Sequence, residues 1–167
     1  MGVNQMDVGD LRKLNDAVDG LLKQEAVREL VRKLKEENAR SAEPFVWSVV
    51  DLRSIGRELP EQIKSCWIFV LKEGVPSGCH YHPNSVQHMV MIEGRGESNV
   101  GGVRKRMVQF GSGKHAPDEI WYVIPEGVPH EFFPEASDMV VISFHTCAAE
   151  ELEEVSCETG GSRLYKG

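Results

Sequence analysis

The chain has 167 residues, of which 41% are hydrophobic and 27% are charged, so it is long enough to bury the core of one domain. Its net charge of −7 argues against a general affinity for nucleic acid or for anionic membranes. Because the sequence has neither an apolar run of roughly 18 residues nor the apolar core of a signal peptide, we expect a cytoplasmic protein that does not enter membranes.

Residues 7–40 are predicted to be helical, with Asp7 as the N-cap. One apolar stripe at helical spacing runs from Val8 to Val18, and a second runs from Val27 to Leu34. The intervening Asp19-Gly20 is expected to interrupt the helix. The face opposite the second stripe is charged, so the stretch either covers the outside of the domain or contacts a partner chain.

From Pro44 the hydrophobic period changes from 3.6 to 2, which predicts seven short strands separated by glycine- or proline-bearing turns. These strands cover residues 45–50, 65–71, 86–92, 104–110, 120–124, 131–133 and 139–145. The Gly101-Gly102 pair predicts a tight hairpin. Strands of this length and regularity are typical of a sandwich or barrel. After Ala148, a short acidic helical patch and a glycine-rich end predict a surface tail that is partly disordered.

The four cysteines have no C-x-x-C spacing: Cys66, Cys79, Cys147 and Cys157. Without a secretory signal, this pattern favours reduced and mostly buried thiols over a disulfide framework. Cys79 adjoins a histidine, His80, and strand alternation is expected to point the two side chains to opposite faces.

Two histidines, His80 and His82, stand two residues apart, which on a strand places both imidazoles on one face. Two converging imidazoles suit a divalent transition metal. Gln87 follows five residues after His82, and the turn-forming residues 83–85 between them can reset the strand alternation. A third histidine, His130, follows a Pro-x-Gly turn.

Together, these stretches resemble the two motifs of the cupin superfamily, β-barrels that hold one metal ion. The first motif is matched by Gly74, His80, His82 and Gly94, with Gln87 at the position usually held by Glu. The second is matched by Pro125, Gly127 and His130, whereas Glu119 and Pro134 replace its usual Gly and Asn. The resemblance covers roughly residues 45–145.

This resemblance implies an all-β fold, a cupin-type β-barrel (double-stranded β-helix or jelly roll) with an N-terminal helical extension. The expected division is a helical extension over residues 1–43, the barrel over 44–147 and a C-terminal tail over 148–167. Small cupin barrels often pair, so the resemblance also implies a homodimer.

The resemblance makes His80, His82, Gln87 and His130 the candidate ligands of one divalent transition metal ion. Iron is the first choice, with zinc, nickel or manganese as alternatives. Gln87 either binds the ion through its carbonyl oxygen or stands behind it and hydrogen-bonds a substrate. A shell of neutral ligands leaves the ion its full charge, which makes bound water more acidic and favours ferrous over ferric iron. His88 is the alternative to Gln87 as a ligand, but as the adjacent strand residue it is expected to point to the opposite face. His145 is expected to have a structural role.

Three apolar side chains are expected to point to the same side of their strands as the candidate ligands: Met89, Met91 and Phe132. They either line an apolar cavity for a small organic ligand or form the barrel core. Trp121 and Tyr122 alternate, and an inward Tyr122 hydroxyl near the metal would be a possible proton donor. The catalytic residues are otherwise unassigned.

From the resemblance we expect a mononuclear metal enzyme, an oxidoreductase with dioxygenase-like chemistry on a small organic substrate. Two alternatives stay open. One is a redox-neutral Lewis-acid isomerase or lyase, and the other is a non-catalytic, metal-stabilised module that binds or senses a small ligand.

Overall fold

The computed structural model of the chain describes residues 8–113 and 115–165, so the predicted N-cap Asp7 lies outside the described residues. Three helices are present there: α1 (Val8–Leu22), α2 (Glu25–Arg40) and α3 (Pro117–Ile120). The strands are β1 (Phe45–Val50), β2 (Ser65–Leu71), β3 (His80–Tyr81), β4 (Gln87–Glu93), β5 (Gly96–Val100), β6 (Val103–Arg106), β7 (Tyr122–Ile124), β8 (His130–Pro134), β9 (Met139–His145), β10 (Glu153–Ser156) and β11 (Ser162–Leu164).

The strands form two antiparallel sheets. The first has the order β1-β2-β9-β4-β7, and the second has the order β11-β10-β3-β8-β5-β6. The mostly β fold with a helical N-terminus confirms the predicted fold class. Register brings distant residues together, because Gln87 pairs with His145 and His80 pairs with His130.

Two apolar cores lie on the two faces of the first sheet. The central strand β2 is buried along its whole length, as expected for a strand covered on both sides. One core fills the barrel, with Trp67, Met89, Phe132 and Leu152 among its members. The other lies under the N-terminal helices and includes Leu14, Leu21, Leu34, Ile68 and Phe144. The amphipathic stretch therefore packs on its own barrel.

The break between the helices lies later than predicted. The helix α1 continues through Asp19-Gly20 to Leu22. Gly within a helix costs about 1 kcal/mol relative to Ala, which the full burial of Leu21 outweighs. A side chain at Gly20 would also meet the guanidinium of Arg57, since a Cβ there would stand 3.5 Å from Nε.

Strands β1, β2 and β9 have the predicted bounds. The Gly101-Gly102 hairpin is confirmed, with φ values of 58° and 86° that suit a tight turn between paired strands. The predicted strand 104–110 is shorter, ending at Arg106, and residues 117–120 form a helical turn ahead of β7. A proline at the first position of this turn, Pro117, favours the helical start.

The C-terminal residues differ most from the prediction. The expected acidic helix is only a single 3-10 turn, Ala149–Glu151, and the chain then forms β10 and β11. The strand β10 pairs with β3 and so joins the second sheet, while Tyr165 is 3% exposed. Residues 157–164 lie on the surface as expected, but the expectation of partial disorder is wrong for residues 149–165, because backbone pairing and an aromatic anchor hold them on the barrel.

The prediction of four reduced thiols is also wrong, since Cys79 and Cys157 form a disulfide. The pairing of β3 with β10 brings their Cα atoms to 5.4 Å, a usual disulfide separation. The other two cysteines, Cys66 and Cys147, are free and buried as predicted. Each helix of the described residues is too short or too polar to cross a lipid bilayer.

Candidate metal centre

Three histidines meet inside the barrel. His80 lies on β3, His82 follows directly after this strand, and His130 begins the adjacent β8. One ring nitrogen from each lies within 4.8 Å of the others. The ring centroids of His80 and His130 are 4.4 Å apart, and each lies 5.3 Å from that of His82. Convergence of these three predicted residues is the geometry that one metal ion requires.

Backbone carbonyls fix the orientation of all three rings. Each ring donates a hydrogen bond from Nδ1 to a backbone carbonyl oxygen. His80 donates to Gly78 at 3.1 Å, His82 donates to Glu153 at 2.8 Å, and His130 donates to Val128 at 3.0 Å. Because a carbonyl only accepts, Nδ1 carries the proton in each ring, and Nε2 is left with its lone pair. This arrangement is the usual support behind metal-binding histidines.

The three rings are neutral at pH 7. Burial lowers the pKa of His80 to about 3, with the neighbouring His82 adding to the effect. Burial also lowers the pKa of His82 and that of His130. Neutral imidazole is the form that binds metal, so these residues need lose no proton to coordinate an ion.

Gln87 faces the same cavity, as expected from its position in the motif resemblance. Its amide nitrogen donates to the sulfur of Met89 at 3.3 Å, while its buried carbonyl oxygen has no hydrogen-bond partner. Gln87 is near enough to His82 to oppose part of the lowering of the pKa of His82.

Two atoms of the candidate ligands are thus buried without a hydrogen-bond partner among the described residues, Gln87 Oε1 and His130 Nε2. Leaving such atoms unpaired costs about 1–3 kcal/mol each, so a bound group that accepts their lone pairs would remove a real penalty. The donor set therefore fits a divalent transition metal.

Two other buried histidines have different surroundings. His145 has its ring 5.2 Å from that of His82, but its nitrogens contact Ser85 Oγ at 2.8 Å and Ser143 Oγ at 3.1 Å. It therefore supports the wall behind the site. His88 belongs to the opposite face of β4, where burial lowers its pKa to about 4, so Gln87 and not His88 faces the cavity.

A cavity of about 30 Å³ is lined by His80 and His82. Its lining is largely apolar and includes Phe45, Phe69, Leu71, Met89, Phe132 and Val141, together with Ser77, Gln87 and Tyr165. Met89 and Phe132 are thus cavity residues, whereas Met91 belongs to the core alone. Tyr122 is buried but is not among the described lining residues, and its proposed catalytic role stays a prediction.

Sequence reasoning missed Tyr165, which takes the cavity position considered for Tyr122. Its ring lies 6.1 Å from that of His82. The signal available was weak: a Gly-Gly turn followed by a short run that includes Leu164-Tyr165. Glu154 was also missed, although its carboxylate lies 3.5 Å from His80 Nδ1 and is only 8% exposed.

Comparison with known proteins agrees with this architecture. Solved structures of similar fold include vicilin from Corylus avellana (hazelnut), with 13% identity and a TM-score of 0.52 over 70% of this chain and 33% of that one. They also include a mutant of salicylate 1,2-dioxygenase from Pseudoaminobacter salicylatoxidans in complex with gentisate. Its identity is 14%, and the TM-score is 0.51 over 70% of this chain and 31% of that one.

A cupin-2 domain from Rhodospirillum rubrum also matches, with 14% identity and a TM-score of 0.46 over 74% of this chain and 67% of that one. The cupin domain of Cnp3 from Schizosaccharomyces pombe matches over 62% of this chain and 64% of its own, with 10% identity and a TM-score of 0.46. The chain thus spans about a third of the vicilin and dioxygenase chains and just under two thirds of the Cnp3 domain. No protein-family model matches the sequence, and no curated protein does.

Proposed function

Because this chain has the cupin fold and holds three neutral imidazoles in its barrel, we propose that it binds one divalent transition metal ion, iron by preference, through His80, His82 and His130. We further propose that it is an enzyme with dioxygenase-like chemistry on a small organic substrate. The observation that carries the proposal is the shared tautomer of the three rings, with each Nδ1 held by a backbone carbonyl and Nε2 left for the ion.

When bound, ferrous iron would supply Lewis acidity and the electrons needed to activate oxygen. The chain's own residues define the charge around it. The three imidazoles are neutral, and Gln87 places an uncharged amide where a carboxylate would cancel one positive charge. Since an uncompensated charge in an apolar cavity is costly, an anionic substrate is favoured over a neutral one.

The cavity wall favours oxygen chemistry over proton-transfer chemistry. A redox-neutral isomerase or lyase needs a positioned acid or base. The described lining residues include no carboxylate, and besides the candidate ligands only Ser77 and Tyr165 carry an exchangeable side-chain hydroxyl proton. Burial, with a smaller contribution from the nearby Glu154 carboxylate, raises the pKa of Tyr165 well above its usual range, so its phenol stays protonated.

A second candidate function is a non-catalytic metal site that stabilises the barrel. The size of the cavity favours it, because about 30 Å³ holds two or three water molecules rather than an aromatic acid. A homodimer also remains a proposal for the chain, and light scattering after gel filtration tests it independently of the metal.

The test is anaerobic reconstitution with ferrous iron, elemental analysis, and an oxygen-uptake screen with organic acids, phenols and thiols, gentisate among them. We expect one iron per chain and substrate-dependent oxygen consumption. His130→Ala should abolish both, whereas the matched control His115→Ala, at an exposed histidine outside the site, should retain them.

The other outcomes separate the candidates. Turnover that proceeds without oxygen and with zinc, nickel or manganese would replace oxygen chemistry with Lewis-acid catalysis. No turnover, combined with a large fall in melting temperature on chelation, would establish the stabilising role. A protein that takes up none of these metals would refute the metal centre itself.

A further inference from the structure

We infer that residues 151–165, here called the C-terminal strap, form part of the metal centre, and that the Cys79–Cys157 disulfide keeps this strap closed over the cavity. Dithiol reductants would then regulate metal retention and access to the site. This inference rests on the proposed metal-binding function, and it adds a redox control to it.

The strap supports two of the three candidate ligands from behind. The carbonyl of Glu153 accepts the Nδ1 hydrogen bond of His82 at 2.8 Å. The next residue, Glu154, places a carboxylate oxygen 3.5 Å from Nδ1 of His80, behind this ring. Arg163 of the same strap bonds the other oxygen of Glu154 and so fixes this carboxylate. Displacing the strap would remove both supports together.

The strap also contributes to the wall of the cavity through Tyr165. Tyr165 contacts the aromatic wall through edge-on packing against Phe69 and Trp47, with ring centroids 5.6 Å and 4.9 Å away. Its ring also lies 6.1 Å from that of His82, so it reaches from this wall to the candidate ligands. Because the remaining space holds only two or three water molecules, an organic substrate needs more room, and we expect movement of Tyr165 to supply it.

Few backbone contacts hold the strap on the barrel. The strand β10 pairs with β3 at two positions, Val155 with Tyr81 and Ser156 with His80, while β11 pairs only with β10. The disulfide joins the residue directly before His80 to the residue directly after Ser156. It therefore locks this two-residue ladder at its end, next to a candidate ligand.

Reduction would proceed by ordinary thiol–disulfide exchange. A dithiol loses two protons and two electrons and becomes a disulfide, while the Cys79–Cys157 bond breaks and both sulfurs become thiols. The strap is then held by the short ladder, the backbone hydrogen bond from Cys157 to Cys79, side-chain contacts, and the packing of Tyr165 and the fully buried Leu152. We expect it to open more often, which weakens metal binding and admits larger ligands.

The experiment measures the cobalt(II) affinity of the chain in two states, with the disulfide intact and with the disulfide reduced. The reduced sample is prepared with a dithiol, which is then removed under nitrogen. Loss of support behind a metal ligand typically costs 10–100-fold in affinity, so we expect cobalt affinity to fall by about tenfold on reduction. Removal of cobalt by a chelator should accelerate by a similar factor. Cys157→Ser should behave like the reduced protein under both conditions, whereas Cys147→Ala, which leaves the disulfide intact, should respond like the wild type.

Equal affinities and equal removal rates in the two redox states would overturn the inference, as would peptide mapping of the oxidised protein without a Cys79–Cys157 link. Hydrogen exchange of the metal-free protein separates this inference from the proposed function. If no cobalt binds in either state, the metal-binding proposal fails. Faster exchange of strap amides such as Val155 and Tyr165 on reduction would still support the strap, and unchanged exchange would refute it.

Discussion

The neutrality of the candidate ligands predicts a loss of stability in mild acid for the metal-free protein. The unfolded chain takes up a proton at His80 below its ordinary pKa of 6.5, whereas the folded chain keeps this ring neutral until about pH 3. Below pH 6.5 the unfolded state therefore binds more protons, and the free energy of unfolding falls as the pH falls. Each pH unit in this window costs about 1.36 kcal/mol per group, so lowering the pH from 7 to 5 costs about 2 kcal/mol for His80 alone.

The assay is urea unfolding of the chelator-treated protein at pH 7 and pH 5. Burial also lowers the pKa values of His82, His130 and His145. The free energy of unfolding of the whole protein should therefore fall by more than the contribution of His80 alone. In His80→Gln the difference between the two pH values should shrink by about 2 kcal/mol. The matched control His115→Gln should not change it. A pH-independent unfolding free energy would refute the claim that these rings are buried and neutral.

Three further predictions concern the centre itself. His130→Ala should weaken zinc affinity by about a hundredfold or more in isothermal titration, because removing a ligand costs at least as much as removing the group behind it; unchanged affinity would contradict the ligand assignment. Gln87→Glu should retain iron but lower its reduction potential, since an added negative charge stabilises ferric iron, and voltammetry that finds no shift would place Gln87 away from the ion. Glu154→Ala should weaken cobalt affinity by about tenfold, whereas Glu153→Ala should leave it unchanged because only the backbone carbonyl of Glu153 contacts His82. Equal effects of the two substitutions would argue against a role for the Glu154 carboxylate.

Much of the barrel and its centre could be predicted from local sequence. Alternation fixed the bounds of the first two strands, and the spacing of His80 and His82 placed both rings on one face. His130 could be added only because a Pro-x-Gly turn preceding a histidine resembles a known motif. The inward position of Gln87 also came from the motif resemblance, because the turn before it only allowed the strand alternation to be reset.

The C-terminal strap could not be predicted in the same way. The two partners of its disulfide stand 78 residues apart, and no local spacing links Cys79 to Cys157. Its strands are three or four residues long and lie beside a glycine-rich turn, so they show too few alternations for a period to be read. Their conformation depends on pairing with β3 and on the burial of Tyr165, which are contacts of the folded chain.

The charges on the two sides of the candidate ligands explain why the strap and the centre belong together. On the cavity side, the lining residues that the structure describes are neutral, so a bound divalent ion would keep its charge and attract an anionic ligand. On the outer side, Glu154 supplies a negative charge behind His80 without becoming a ligand. Arg163 pairs with this carboxylate and so fixes its position behind His80. Opening of the strap would move both Glu154 and the cavity-lining Tyr165 away from the site. Metal retention should therefore decrease while substrate access increases.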